Sequence, residues 1–317
     1  MRSIILKFII LVCFAWLSLL VLDKFFFFGI KNNLNLKSSY VQKQKIDAEI
    51  LIHGPCEPLW MLSPQRITRL TGKSCYNLAL SHSDFADNFL HLYLYLKSNK
   101  APKLLLLYVT PESFDLNYNT FNSYRFSAWL GNPILDKVVE ENDPDYFRFS
   151  TVPYLRFAYY NQKINFEAIQ GYKHYFSNKR WPYFKDGFEP PGKIRWDNHF
   201  RDFLALHPDG YNFQWNSNRE KYFRKIIELT KEKNIPLVLY ESPILKEILR
   251  FQKNRSEMLK KIKSISNEYQ IDYCIFEGMK IAENKENFIS PMNLKLSAAL
   301  EFSDTMAIYL NKHYFKK

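Results

Sequence analysis

The sequence Ile50-Leu51-Ile52-His53-Gly54-Pro55-Cys56-Glu57 has the pattern of a buried strand that ends in a sharp glycine-containing turn. A second apolar run, Lys103–Val109, contains four consecutive leucines and is closed by Pro111. Continuous apolar runs of this kind are typical of parallel strands that are covered on both faces. The turn after such a strand is where many α/β enzymes carry a nucleophile.

On both sides of these two runs, predicted strands alternate with predicted helices along most of the chain. The predicted strands are Ile50–His53, Tyr76–Leu80, Lys103–Val109, Pro236–Tyr240 and Ile271–Phe276. The predicted helices are Pro64–Leu70, Ser83–Ser98, Ser217–Lys233, Glu257–Tyr269 and Ser297–Leu310. This order predicts an α/β fold with a doubly wound parallel sheet, whose ligand cleft lies at the carboxyl ends of the strands.

The N-terminus predicts a membrane anchor. Ile4–Leu22 is apolar except for Lys7 and approaches the roughly 20 residues that cross a bilayer. Phe25–Phe28 follow as an aromatic cluster suited to the membrane interface. No small-x-small cleavage site follows, so we expect an uncleaved signal anchor rather than a removed signal peptide. Arg2 and Lys7 favour an N-terminus inside the cytoplasm, although Lys24, Lys31 and Lys37 on the other flank weaken this argument. We expect an extracytoplasmic domain, because a very short N-terminal tail leaves little to translocate.

These features divide the chain into an anchor at 1–28, a polar stalk at 29–45 and an α/β domain at 46–317, with an insertion at about 115–216. The insertion is dense in aromatic residues. Its rings either stack on sugars, whose acidic groups would be gripped by Lys179, Arg180, Lys185, Lys193 and Arg195, or form a small core of their own with little regular structure. The second alternative is favoured, because most of so many rings must be buried.

The formal net charge is +12, which admits anionic lipid headgroups, an anionic glycan or nucleic acid as partners. A membrane anchor makes nucleic acid a disfavoured partner. The simplest interpretation of the positive charge is a solvated helix face that lies near anionic lipid headgroups. The four cysteines are Cys13, Cys56, Cys75 and Cys274. They show no zinc-site spacing and no disulfide framework, so the sequence predicts no metal and no cofactor.

Five stretches together are similar to the conserved blocks of the GDSL/SGNH hydrolase superfamily, in particular its membrane-anchored bacterial envelope branch. They are Ile50–Pro64, Ser74–Ser83, Lys103–Phe114, Asn234–Pro243 and Phe288–Leu310. The resemblance implies a three-layer α/β/α fold of flavodoxin-like type, an acyl-transfer site and an inner (cytoplasmic) membrane location with the domain outside.

The resemblance also shows which positions would carry the chemistry. The nucleophile falls on Cys56, the Asp of the Asp-x-x-His motif on Ser290 and its His on Asn293. The second-block Gly falls near His82 and the third-block Asn near Thr110. All five differ from the family pattern. An amide cannot accept a proton near neutral pH and a hydroxyl cannot stabilise an imidazolium, so the acyl-transfer site is predicted to be degenerate.

Two routes to catalysis remain open. Cys56 can act as a thiolate if a cation lies beside it, and His53 and His82 are the nearby candidates, with a Cys56–His82 dyad the more plausible pair. The competing reading is an inert, partly buried thiol. A base relocated from another loop is the second route, with candidates in the insertion: His174, His199 and His207, with Asp197, Asp202 and Asp209. His207–Gly210 reads more simply as a turn, and Asp197–Asp202 as a helix start.

We therefore expect a non-catalytic, membrane-anchored extracytoplasmic protein, which binds a glycan or a partner protein as an accessory to envelope polysaccharide modification or assembly. Its cleft is predicted to be lined by Gly54, Cys56, Glu57, Ser81, His82, Thr110, Ser290 and Asn293. The alternative is an active O-acyltransferase or esterase that uses Cys56 or a relocated triad. A third class, an electrostatic scaffold on the membrane surface, predicts salt-sensitive binding to anionic lipid.

Overall fold

The structure is a computed structural model that describes residues 2–117, 121–159, 161–177, 186–192, 196 and 199–315. The chain forms two compact units. The anchor unit consists of Met1–Lys45 and Phe121–Phe184, and the sheet unit of Ile46–Thr120 and Lys185–Lys317. These bounds differ from the predicted division, because a large part of the predicted insertion packs with the N-terminal helix.

The strands of the sheet unit are β1 Ile50–His53, β2 Cys75–Asn77, β3 Leu104–Tyr108, β4 Leu237–Glu241, β5 Asp272–Ile275, β6 Phe288–Ser290 and β7 Asn293–Leu294. Strands β1 to β5 form one parallel sheet in the order β2-β1-β3-β4-β5. Strands β6 and β7 form a separate antiparallel pair. The α/β class and the parallel sheet are thus confirmed. The strand order reverses between β1 and β3, which is where such sheets bind ligands.

The α-helices, in chain order, have the following bounds: α1 Arg2–Asn32, α2 Lys37–Lys43, α3 Cys56–Met61, α4 Pro64–Thr71, α5 Phe85–Ser98, α6 Pro133–Asn142, α7 Tyr146–Ser150, α8 Leu155–Ala158, α9 Asn161–Ser177, α10 His199–Leu206, α11 Ser217–Glu232, α12 Lys246–Leu249, α13 Arg255–Tyr269 and α14 Leu296–His313. Short 3-10 helices lie at Pro111–Phe114, Ser123–Trp129, Lys280–Glu283 and Lys285–Asn287.

Helices cover both faces of the sheet, as the continuous apolar strands predict. On one face, Ile52 of β1 and Leu106 of β3 belong to the same buried cluster as Phe302 of α14. On the other face, His53 Nε2 donates to the backbone carbonyl of Asn88 in α5 across 2.8 Å. Successive strand residues point to opposite faces, which explains why neighbours in β1 contact different helices. His53 therefore lies on the face of the sheet that α5 covers.

Strand β2 is shorter than its predicted span. It ends at Asn77, whose side chain forms hydrogen bonds with backbone groups. The Asn77 Oδ1 accepts from the backbone N–H of Ala79, and its Nδ2 donates to the backbone carbonyl of Pro58. Leu78 and Leu80 nevertheless still donate backbone hydrogen bonds to Ile52 and Gly54. The segment after β2 is thereby held beside the turn that follows β1.

In the anchor unit, α1 is long and apolar enough to cross a membrane. A signal sequence can have the same length and composition. Its apolar side chains are exposed along the first two thirds of the helix, as Ile4, Leu11 and Val21 illustrate. At the end of this run, Asp23 is buried and forms a bidentate ion pair with Arg156. Arg156 Nε donates to Asp23 Oδ1 across 2.8 Å, and Arg156 Nη2 donates to Asp23 Oδ2 across 2.7 Å. A buried carboxylate is tolerated here because the Arg156 guanidinium pairs with it and donates hydrogen bonds to it.

The end of α1 crosses α9 at very short range. A Cβ atom added to Gly171 would lie 1.6 Å from the backbone oxygen of Gly29, so only glycine fits there. The ring of Phe25 stacks on Tyr172, with centroids 4.6 Å apart, and Phe26 packs on Tyr154 at 5.0 Å. The aromatic cluster expected at the membrane interface thus contacts rings of the predicted insertion.

Two expectations for this region need revision. The insertion has regular structure between 133 and 177, where α6 begins with Pro133 and is capped by Asn132, whose Oδ1 accepts from the N–H of Ile134. The polar segment at 29–45 is helical over most of its length, and Ser39 is buried with its hydroxyl donating to the carbonyl of Ile30. The predicted sugar-binding cations Lys179, Arg180, Lys185, Lys193 and Arg195 lie outside the described residues, as does Asp197.

Candidate functional site

The turn after β1 requires its glycine. Gly54 has a φ of +143°, and a Cβ atom at this position would lie 2.8 Å from the Cβ of Tyr108 in the neighbouring strand. Helix α3 begins two residues later, at Cys56. The turn therefore brings Cys56 and Glu57 to the carboxyl edge of the sheet, where the strand order reverses.

The sulfur of Cys56 accepts a hydrogen bond from the backbone N–H of His82 across 3.0 Å, and the hydroxyl of Ser81 lies 3.6 Å from it. His82 has a φ of +48°, in the left-handed region that favours glycine. The backbone there thus has the conformation expected of a glycine position, although the residue is a histidine.

A cavity of about 150 Å³ opens beside Cys56, at the ends of β1 and β3. Four of the predicted cleft residues line it, namely Cys56, Glu57, His82 and Thr110. The rest of its wall comes from residues that the sequence did not single out: Pro55, Ser83, Asp84, Phe85, Asn88, Tyr108, Glu112, Ser113, Arg219 and Met292. A short substituent fits into a space of this size, since cavities of about 150 Å³ accommodate benzene.

Glu57 has an unusual carboxyl group for a residue beside a cavity. Burial raises its pKa to about 7; a hydrogen bond from its own backbone N–H opposes this rise, and the negative charge of Glu112 adds to it. Its Oε2 is buried and has no hydrogen-bond partner among the described residues. Near neutral pH the group exchanges readily between the acid and the carboxylate, which is the property of a candidate proton donor or acceptor.

Glu112 is held in place by a buried polar network. Gln252 Nε2 donates to Glu112 Oε1 across 2.6 Å, and the Oε1 of Gln252 accepts from Arg255 across 3.3 Å. Arg255 is in turn paired with Glu241 at 2.6 Å and with Glu277 at 2.9 Å. Glu112 Oε2, in contrast, is buried and has no partner in the part of the chain that the structure describes. This oxygen is available to a hydroxyl or amine of a ligand.

The two residues at the Asp and His positions of the acyl-transfer motif contact each other. Asn293 Nδ2 donates to Ser290 Oγ across 2.9 Å, in the short pairing of β6 with β7. The pairing register places the two residues opposite one another, so the local geometry of an orienting pair is kept with uncharged groups. Neither side chain lines the cavity beside Cys56; Met292, between them in sequence, does.

A second, larger cavity of about 480 Å³ shares Glu112 and Met292 with the first. Its other lining residues are Asn117, Phe203, His207, Tyr211, Phe213, Ile248 and Gln252. The rings lie close together, with the Tyr211 centroid 4.9 Å from His207 and 5.2 Å from Phe213. The wall is mainly aromatic and aliphatic with a few polar groups, which is the usual composition of a ligand site.

The histidines considered as a relocated base, His174, His199 and His207, lie in different parts of the structure. His174 belongs to the anchor unit, where its Nδ1 accepts from the N–H of Leu34. His207 lines the larger cavity and begins a turn closed by the N–H of Gly210, as its sequence predicts. The helix start predicted at Asp197–Asp202 corresponds to α10, which begins at His199. Of the candidates whose side chains the structure describes, His207 lines the larger cavity.

Sequence reasoning missed Glu112 and Gln252 as site residues, whereas Phe203 belongs to the aromatic insertion whose rings were one of two alternatives for stacking on sugars. Glu112 carried a usable signal, because it follows the predicted third strand at the edge of the sheet that also carries Cys56. Gln252 carried none, since it lies in a segment far along the chain. Within the described residues, no three His, Cys, Asp or Glu side chains are grouped as ligands for a metal ion.

A scan against models of known protein families matched none of them, and a search among curated proteins returned no match. The candidate site therefore rests on its own geometry. It combines a thiol that receives a backbone N–H, two cavities that share Glu112 and Met292, and two carboxyl groups that each have one oxygen without a hydrogen-bond partner in the described part of the chain.

Proposed function

We propose that this protein is a membrane-anchored, extracytoplasmic member of the GDSL/SGNH type whose acyl-transfer site is degenerate. In this proposal it binds a glycan of the cell envelope, as an accessory to polysaccharide modification or assembly, and does not turn it over. The strand order and the position of the cavities at the switch point of the sheet support the comparison with this superfamily. A fold by itself does not imply an activity, so the proposal depends on the residues of the site.

The observation that carries the proposal is the contact between Asn293 and Ser290. In an acyl-transfer site of this type, an acidic group orients an imidazole, which removes the proton of the nucleophile. Here an amide donates to a hydroxyl in the same spacing. The pair preserves a local arrangement and supplies neither a base nor a counter-charge. The cavities are nevertheless retained, which favours binding without turnover.

The location follows from α1. A helix of this length and composition can cross a bilayer, and the basic residues Arg2 and Lys7 near its N-terminal end favour retention of that end in the cytoplasm. We accordingly propose an inner-membrane protein with both cavities outside the cytoplasm. The envelope glycan as ligand follows from that location and from the resemblance.

The alternative is an O-acyltransferase or esterase that uses Cys56. Two observations favour it: the backbone N–H of His82 donates to the sulfur, and Glu57 nearby has a pKa of about 7. A carboxyl group of this pKa is suited to proton transfer at neutral pH. The accessory role predicts no hydrolysis that depends on the Cys56 thiol, whereas the enzymatic alternative requires it.

The test uses the full chain in detergent micelles. Binding to envelope glycans is measured by calorimetry, and hydrolysis of a chromogenic acetyl ester is followed with the unmodified protein and with Cys56→Ala. Glycan binding without thiol-dependent hydrolysis supports the accessory role. Hydrolysis that disappears in Cys56→Ala supports the alternative. If neither glycan binding nor a crosslinked envelope partner is found, the accessory role is wrong.

A further inference from the structure

We propose that the exposed face of α9, formed by Phe166, Ile169 and Phe176, is a second membrane contact and lies in the headgroup layer of the bilayer that α1 crosses. The partner is the lipid surface itself, on the side where α1 leaves the membrane. This inference rests on the proposed membrane location of α1 and goes beyond the proposed binding function. It concerns the anchor unit alone, to which both helices belong.

Three large apolar side chains are exposed on one side of α9. Phe166, Ile169 and Phe176 are 60%, 50% and 77% exposed. Phe166 precedes Ile169 by three residues and Phe176 by ten, so all three project from the same side of the helix. Ile164 and Ala168, on the opposite side, are buried. A contiguous apolar surface that is exposed in this way is typical of an interaction site.

One side of α9 is directed towards the apolar part of α1. Tyr172 stacks on Phe25, and its hydroxyl donates to the backbone carbonyl of Phe25 across 3.0 Å. Phe25 is the first aromatic residue after the apolar run, so Tyr172 lies on the bilayer side of the crossing. Ile169 lies three residues before Tyr172 and Phe176 four residues after it, which places both on that side of the helix.

The other side of α9 is polar and contacts the opposite end of α1. Glu167 Oε2 accepts from Asn33 Nδ2, and His174 Nδ1 accepts from the backbone N–H of Leu34 across 3.1 Å. Glu167 and His174 are seven residues apart and thus share one side of the helix. Asn33 and Leu34 follow the end of α1 that is remote from the apolar run. This polar side therefore faces away from the bilayer.

The depth of the crossing matches the headgroup layer. α1 and α9 cross at Gly29 and Gly171. Gly29 lies six residues after Asp23, the first charged residue after the apolar run, which corresponds to about 9 Å along a helix. A helix with its side chains has a radius of about 5–6 Å, and the headgroup layer is about 5–8 Å thick. The bilayer side of α9 therefore reaches into this layer, where amphipathic helices insert their apolar side chains.

The driving force of this contact is apolar burial. Lys173 is exposed between Ile169 and Phe176, and its long side chain reaches the lipid phosphates while its apolar neighbours insert. Salt screens the attraction between exposed charges, whereas the burial of apolar surface does not depend on that attraction. The contact should therefore persist at high salt, unlike that of a purely electrostatic scaffold.

The experiment places the photoreactive residue p-benzoylphenylalanine at single positions of the full chain, in vesicles of phosphatidylethanolamine and phosphatidylglycerol. Mass spectrometry after irradiation measures the fraction of chain that carries a lipid. Ile169 and Phe176 are the test positions, Phe14 in the apolar run is the positive control, and the exposed Asn35 beyond the end of α1 is the negative control. We expect at least about fivefold more lipid adduct at both test positions than at Asn35, also in about 1 M sodium chloride.

The outcomes separate this inference from the proposed location. Adducts at Ile169 and Phe176 no higher than at Asn35, adducts lost at high salt, or crosslinks to a second protein chain in place of lipid overturn the contact. If Phe14 carries lipid in those cases, the proposed membrane location and the accessory role stand. If Phe14 carries no lipid either, α1 does not cross the bilayer, and the proposed location is wrong together with this inference.

A matched pair of variants tests which side chains hold α9 in the headgroup layer, with the photoreactive residue at Phe166 as the reporter. Ile169→Asn/Phe176→Asn removes the apolar side chains and should lower the lipid adduct at Phe166 by about fivefold. Lys173→Asn changes an exposed position of the same helix and should leave the adduct unchanged. Equal losses in the two variants would assign the contact to charge and overturn the apolar contact. Thermal unfolding identifies a fold defect in either variant, and the single-position comparisons then decide the matter.

Discussion

Gln252 Nε2 donates to Glu112 Oε1 across 2.6 Å, over a separation of 140 residues in the chain. This contact joins the exit of β3 to the segment between α12 and α13, and it leaves the second oxygen of Glu112 without a partner among the described residues. Both cavities include Glu112 in their walls. The position of one carboxyl oxygen thus depends on a residue that no local sequence pattern connects to it.

The first prediction concerns this pair. Gln252→Leu removes the donor and leaves a second carboxyl oxygen of Glu112 unsatisfied, so we expect the free energy of unfolding to fall by about 1–3 kcal/mol. Urea denaturation of the full chain in micelles measures it. In the double variant Gln252→Leu/Glu112→Leu both polar partners are absent, and part of the loss should be recovered. A double variant less stable than either single variant would contradict this account.

The second prediction concerns pH. Because the pKa of Glu57 is about 7 in the folded protein and 4.5 in its unperturbed form, the folded state retains a proton that the unfolded chain loses above about pH 4.5. Stability from this group is therefore greatest below that pH and is lost as the pH rises towards 7. Glu57→Gln should remove this decline and be more stable than the unmodified protein at pH 7.5, by about 1–3 kcal/mol.

Glu49→Gln is the matched control for that measurement. A hydrogen bond from Lys103, followed by one from the backbone of Ser74, lowers the pKa of Glu49. Its stabilising contribution is thus present at neutral pH and lost as the pH falls through the acid range. The two variants should change the pH profile of unfolding in opposite directions, and a parallel change would refute the assignment for Glu57.

The third prediction concerns Asp23 and Arg156, whose side chains are 10% and 16% exposed and form an ion pair at 2.7 Å. Arg156→Met leaves the buried carboxylate without its cation, and we expect a loss of about 2–4 kcal/mol. Asp23→Leu/Arg156→Met removes both charges and should be the more stable of the two variants. Proteolytic cleavage between 121 and 177 reports on the anchor unit; equal cleavage of both variants would show that the pair is not coupled.

The fourth prediction concerns the crossing of α1 and α9. Gly171→Ala places a methyl group 1.6 Å from the backbone oxygen of Gly29, so the helices must separate. We expect a loss of about 1–3 kcal/mol in the unfolding of the anchor unit, read from thermal unfolding in micelles. Gly192→Ala is the control, because a Cβ atom there meets nothing within 4 Å. Similar effects of the two substitutions would contradict the close crossing.

Several parts of the fold could be predicted because their signals are local. Strand β1 has the predicted bounds, Ile50–His53, since a short apolar run followed by Gly54 defines both its burial and its end. Helix α4 begins at the predicted Pro64 and is followed by Gly72 in the left-handed conformation, as glycine at a helix end indicates. The contact of Ser290 with Asn293 is local too, because a spacing of three residues suits a tight turn between paired strands.

Other parts could not be predicted, because they depend on segments that meet only in the folded chain. The position of Phe25–Phe28 after an apolar run predicts contact with the membrane interface, yet Phe25 packs on Tyr172 and Phe26 on Tyr154. The wall of the larger cavity combines Asn117, Phe203 and Ile248, which have no common motif. An aromatic residue has the same local signal whether it fills a core or lines a cavity.

The amino-acid sequence by itself determined the alternation of strands and helices, the apolar N-terminal helix and the absence of charged groups at Ser290 and Asn293, because periodicity and residue chemistry are properties of neighbours in the chain. The tertiary structure alone decided which carboxyl groups meet at the cavities, that Glu57 has a pKa of about 7, and that the end of α1 packs on α9. Burial and the approach of distant charges set these features, and both arise only when remote segments come into contact.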